Sequence, residues 1–181
     1  RSRGLGDVYK RQQYQGLHNM ELASPVYGEM VYESHFGPTD YSFNIGKAHI
    51  VTMKNINYVG GKSYLTSLTG QQLDWLKKDL SYLPEGSLVI LNMHAPSWNR
   101  ISPDGNIRNA AQLKEVLKNY NVHVFSGHTH FFQNNEVSPV LYEHNIGAAC
   151  GGWWTGWVNQ CGAPNGYMVV DLSLIHISEP T

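Results

Sequence analysis

The residues with chemistry to offer are histidines, and two short stretches concentrate them. Met93-His94-Ala95-Pro96 and Gly127-His128-Thr129-His130 each follow an apolar run. Neutral imidazole is the side chain most often used to bind transition metals, through either ring nitrogen. In His128-Thr129-His130 the rings are two residues apart. An extended backbone puts them on one face, whereas a tight turn fans them toward two adjacent ions. Gly127 is expected to let the backbone bend sharply there. His94, at a neighbouring strand end, would bring a third nitrogen to the same crevice. The chain has nine histidines, and the others read as packing or surface residues. His49 and His123 fall inside expected strands, and His18 and His35 in irregular segments. His144 falls in a connection between strands, where support of a nearby site is the alternative reading.

Other chemistries lack their signatures. No Ser or Cys stands in a GxSxG elbow, and the glycines lack the spacing of a P-loop or dinucleotide fingerprint. Cys150 and Cys161 lack zinc-knuckle spacing. They read equally well as a disulfide in an exported protein or as free thiols. The loop after Cys150 runs Gly151-Gly152-Trp153-Trp154. Trp153 and Trp154 are flat walls that either line a pocket or pack in the core or against a neighbouring domain.

The elements that must position these residues are legible from periodicity. Residues 88–92, Leu-Val-Ile-Leu-Asn, form a continuous apolar run, as expected of a strand covered on both faces. Residues 122–126 form the next strand. Residues 69–83 read as a helix: Thr69 and Gln72 fit a capping box, and Leu73, Leu76, Leu80 and Leu83 make one stripe. Pro84 and Gly86 end it. Residues 110–120 read as a second helix, with Leu113, Val116, Leu117 and Tyr120 inward. Residues 41–53 alternate around Gly46-Lys47 and read as a hairpin. Residues 13–38 are expected to be loop with at most one helical turn, and residues 55–68 loop. Residues 140–142, 145–149 and 167–171 are shorter strand candidates. The order strand, helix, strand, helix, strand implies an α/β fold with a parallel core. Such sheets bind ligands beyond the carboxyl ends of their strands, where both histidine stretches fall.

Composition bounds the rest. A chain of 181 residues with a 41% hydrophobic share fits one globular domain. A net charge of −1 gives no electrostatic reason to expect a nucleic acid or an anionic membrane as partner. No apolar run approaches the roughly 18 residues of a spanning helix.

Both ends read as foreign to the protein. A single DNA element, read on opposite strands, encodes both Ser2–Gln12 and Leu172–Thr181. It resembles the adapter of a transposase-made sequencing library. The reading is therefore an adapter tail at 1–12, the biological sequence at 13–171, and a second adapter tail at 172–181. The tails are expected to make few buried contacts. Gly6-Asp7 is excluded as a motif for the same reason.

The ordered stretches FGPTDYSFNIGKAHIVTM (36–53), TGQQLDWLKKDL (69–80), NMHAP (92–96), SGHTH (126–130), AACGGWW (148–154) and PNGYMVVD (164–171) together resemble the calcineurin-like metallophosphoesterases. The likeness is to the bacterial branch with an extra C-terminal domain. It implies a partial four-layer αββα sandwich: the C-terminal half, without the N-terminal βαβ units. It implies two divalent or trivalent metal ions (manganese, iron or zinc) and a phosphate-ester substrate, monoester or diester. His94 and His128 would bind the second metal and His130 the first. The family's DxH, GD and GNHD motifs have no counterpart in residues 13–171. The bridging carboxylate, the Asn ligand and the acid for the leaving group are expected in the missing N-terminal half, and the C-terminal domain is expected to lie outside this chain. The fragment alone is therefore expected to be inactive. By resemblance the parent is periplasmic or exported. Two other readings stand beside it. One is a non-catalytic metal-binding or structural domain. The other is a different His-rich metallohydrolase, although Phe131-Phe132 follow His130 where metallo-β-lactamase relatives require an Asp.

Overall fold

The computed structural model describes residues 27–60, 63–151 and 155–172. Twelve elements follow one another: α1 (Tyr27–Phe36), β1 (Tyr41–Ile45), β2 (Ala48–Thr52), β3 (Ile56–Gly60), β4 (Ser63–Thr66), α2 (Gly70–Leu80), β5 (Leu88–Asn92), a 3₁₀ turn (Pro103–Gly105), α3 (Ala110–Leu117), β6 (Asn121–Ser126), β7 (Gln133–Ser138) and β8 (Leu141–Asn145). Six strands form one sheet in the order β1-β2-β5-β6-β8-β7, and β3-β4 is a separate hairpin. The central pairings β2-β5, β5-β6 and β6-β8 are parallel; the edge strands β1 and β7 are antiparallel. This is the α/β fold with a parallel core that the alternation of strands and helices implies.

The core lies on one face of the sheet. Val51, Val89, Leu91, Val122, Val124 and Leu141 project from it and meet Leu76 and Leu80 of α2 and Leu113 and Leu117 of α3. Alternation along β6 sets the division: Val122, Val124 and Ser126 are buried while their neighbours are half-buried. The opposite face carries a smaller cluster of Ala48, Leu88 and Ile90, with Ile50 and Phe125 against it. This double covering is why 88–92 reads as a continuous apolar run.

α2 starts as its sequence dictates. Gln72 N donates to Thr69 Oγ1 at 3.2 Å, and Thr69 N donates back to Gln72 Oε1 at 2.8 Å. α2 and α3 end earlier than the expected 83 and 120, in turns before Pro84 and Asn121.

Four expectations are corrected. Residues 27–36 form a full helix rather than a single turn, anchored by the buried Tyr32. Residues 55–68 hold the β3-β4 hairpin rather than loop, with Ile56 buried. β8 spans 141–145, so the separate strand expected at 145–149 is absent. No strand forms at 167–171, where Tyr167 and Val169 are exposed. The expected tails fall outside the described residues except for Leu172, which is exposed.

Candidate functional site

β5 and β6 are parallel neighbours, in register from Leu88↔Asn121 to Asn92↔Phe125. Their carboxyl ends therefore finish side by side, and the chain leaves each at a histidine stretch. The two exits are tied together by backbone: Met93 N donates to Phe125 O at 3.0 Å and Gly127 N to His94 O at 2.9 Å. The result is a direct ring contact. His94 Nε2 and His128 Nδ1 are 3.1 Å apart, with ring centroids at 5.0 Å and planes at 69°. His94 is buried and His128 half-buried.

The turn that presents His128 is bent in an unexpected way. Gly127 does not take the left-handed conformation; His128 (φ 66°) and His130 (φ 60°) do. Left-handed backbone is uncommon for residues with a Cβ and accumulates at functional sites. Thr129 N closes the turn onto Gly127 O at 2.7 Å. Gly105 of the 3₁₀ turn backs onto it: a Cβ there would lie 2.7 Å from Thr129 Cγ2.

His130 has a backbone partner of its own. Its Nδ1 lies 3.0 Å from the Gly151 carbonyl and donates to it, which makes Nε2 the nitrogen that carries the lone pair. Among the described residues no group of three or more His, Cys, Asp and Glu is placed to hold a metal ion. The structure thus brings His94 and His128 together and does not bring His130 into a common cluster with them. Trp153 and Trp154 lie outside the described residues.

Two supports of the site are not evident from the sequence. Asn55, fully buried, accepts from Ala95 N at 2.9 Å and donates to Ala95 O at 2.8 Å, which pins the turn just after His94. Tyr64 of β4 sets its ring edge-on to His128, centroids 5.9 Å apart. The Gly60-Gly61-Lys62 run between INYV and SYLT is the hairpin signal that would have found this strand. Beside the site, Ser97, Trp98, Arg100, Pro103, Asn135 and Val137 line much of an open depression of about 440 Å³.

The remaining histidines have other partners. His49 is buried with Nε2 2.8 Å from Asp79 Oδ2 and Nδ1 2.7 Å from Asn44 Oδ1, joining α2 to the first hairpin. His123 and His144 stack on the opposite sheet face, with Nδ1 and Nε2 2.9 Å apart. Burial lowers the pKa of both, and His123 adds to the shift at His144. His144 lies within β8, not in a connection. His35 is exposed beside Ser34, and His18 lies outside the described residues. Cys150 and Cys161 are both free thiols; Cys161 Sγ accepts from Phe132 N at 3.3 Å.

Residues 143–178 match the family described as the C terminal of calcineurin-like phosphoesterase. The chain is similar to the calcineurin-like phosphoesterases. The match to these phosphoesterases begins inside β8 and includes residues 172–178, within the stretch read as adapter. No curated protein matches the chain. Among solved structures, a 5'-nucleotidase from Candida albicans is similar with a TM-score of 0.41 and 13% identity. That likeness covers 61% of this chain and 21% of the nucleotidase, so the chain spans about a fifth of that relative's length. No helix among the described residues is long and apolar enough to cross a membrane.

Proposed function

We propose that this chain is part of a metal-dependent phosphoesterase that hydrolyses a phosphomonoester or phosphodiester at a dinuclear metal site. The observation that carries the reading is the His94–His128 pair, brought to 3.1 Å at the ends of two adjacent parallel strands. Two imidazole nitrogens this close, both beyond the ends of parallel strands, are the donor type that would hold a transition-metal ion. The pair therefore fits as two ligands of one ion. His130 would serve the other ion through Nε2, since Gly151 O fixes its Nδ1 proton. A bound pair of ions supplies polarisation of the phosphate and a nucleophilic water. The chain's own residues hold the rings: Asn55 fixes the backbone behind His94, and Tyr64 limits the swing of His128. Trp153 and Trp154 are proposed as a pocket wall, and the carboxylate ligands are proposed to come from sequence upstream.

The test is direct. This chain alone should bind Zn²⁺ or Mn²⁺ weakly and leave p-nitrophenyl phosphate intact. The gene recovered with its upstream sequence should hydrolyse that ester, and His128→Ala should abolish the activity. A full-length gene without DxH and GNHD motifs, or hydrolysis that survives His128→Ala, overturns the proposal.

A further inference from the structure

The inward positions of β8 change character along the strand: Leu141 is apolar, while Glu143 and Asn145 are polar and both fully buried. Opposite them β6 passes from Val122 and Val124 to Ser126. The polar end lies where the histidine turns leave the sheet, and the side chains of Glu143, Asn145 and Ser126 are all hydrogen-bonded there. Glu143 accepts from Ser97 N and Trp98 N, each at 2.7 Å, just after His94. The Ser126 hydroxyl donates to the same carboxylate at 3.3 Å, just before His128. Burial pushes the Glu143 carboxyl above its usual range, against the opposing pull of these donors.

Asn145 continues the chain of contacts. Its Nδ2 donates to Gly127 O at 2.7 Å and to Ser126 Oγ at 3.2 Å. Its Oδ1 accepts from Thr129 Oγ1 at 2.6 Å and from Asn99 Nδ2 at 2.9 Å. Asn99 in turn accepts from Ile101 N and Ser102 N, at 2.9 and 2.7 Å. One buried network thus grips the chain on the far side of His94 and on both sides of His128. We infer that Glu143, Asn145 and Asn99 are positioning residues: they set the spacing of the His94 and His128 rings and hold His128 in its left-handed conformation, ready for a shared ion. This deepens the metal reading and rests on it only for the ion.

The mechanism is geometric. Without Asn145, Gly127 O and Thr129 Oγ1 lose their shared anchor, and the turn is released to relax from φ 66°. The contact between rings depends on that backbone, so it should be lost before the fold is. Groups that orient ligands commonly change metal affinity by about 10–100-fold when removed.

The experiment uses imidazole ¹⁵N NMR spectra of the metal-free chain, followed by Zn²⁺ titration. Asn145→Ala and Thr129→Val should shift the His94 and His128 signals toward those of freely exchanging tautomers. They should leave His49, His123 and His144 in place and weaken Zn²⁺ binding about 10-fold or more. Thr129→Ser, which keeps the hydroxyl, should restore both readouts. Thr129→Val removes only the two links of one hydroxyl, to Asn145 Oδ1 and from Asn99 Nδ2, and covers the case in which Asn145→Ala fails to fold. Unmoved His94 and His128 signals overturn the inference, as does an equal shift of all five histidines. If the parent chain binds no Zn²⁺, the metal reading fails, and the ring signals of the variants still decide the positioning role.

Discussion

Replacing Asn55 by alanine should be costly well beyond the size of the side chain. Asn55 and Ala95 are both fully buried, and the carboxamide makes two reciprocal bonds to the Ala95 peptide groups, at 2.9 and 2.8 Å. Truncation leaves one buried N–H and one buried C=O without these partners. Each such group costs about 1–3 kcal/mol. Water admitted to the vacated space restores part of this, so the expected loss is about 2–4 kcal/mol. Urea unfolding followed by circular dichroism measures it, as a lower midpoint at unchanged slope. Asn55→Asp separates the two bonds. Its carboxylate still accepts from Ala95 N but faces the Ala95 carbonyl with a second acceptor, so it should be at least as destabilising at neutral pH. Protonation gives that oxygen a donor, so the deficit should shrink as the pH falls. A loss under about 1 kcal/mol for Asn55→Ala, with the His94 imidazole signals unchanged, would refute the claim that this clamp sets the His94 turn.

Thr69→Ala removes the hydroxyl of the capping box and should lower stability by about 1 kcal/mol in the same assay. Leu113→Ala opens a cavity where α3 meets the sheet and should cost about 2–5 kcal/mol. His123 and His144 have pKa values lowered by burial, so the unfolded chain binds more protons than the folded one just below the ordinary imidazole value of about 6.5. Their contribution is present above that pH and lost as the pH falls through it. His144→Asn should flatten this part of a stability–pH profile.

The elements that build the core were legible because one physical signal dominates each of them. The Leu73–Leu83 stripe with the Thr69 cap specifies α2, and the LVILN run specifies a strand covered on both sides. The proximity of His94 and His128 followed from placing both after parallel strands. What was illegible lacks an apolar signature. β7 reads Gln-Asn-Asn-Glu-Val-Ser, poor in strand-forming residues, and exists because β8 offers its backbone as a partner. The β3-β4 hairpin was hidden by its glycines and asparagines, although its Tyr64 touches the site. The bend at His128 rather than Gly127 was illegible for another reason: propensity assigns left-handed backbone to glycine, and only the contacts around Thr129 and Asn145 override it.

That pair of left-handed histidines sets stability and chemistry against each other in the course of evolution. Glycine adopts their conformation without the penalty of a Cβ, so at either position it would relieve strain while deleting a ring nitrogen. A population selected for folding alone should drift toward glycine or asparagine at His128 and His130. Persistence of both histidines under selection for thermal robustness would mean that the rings, and whatever they hold, are worth more to the organism than a firmer turn.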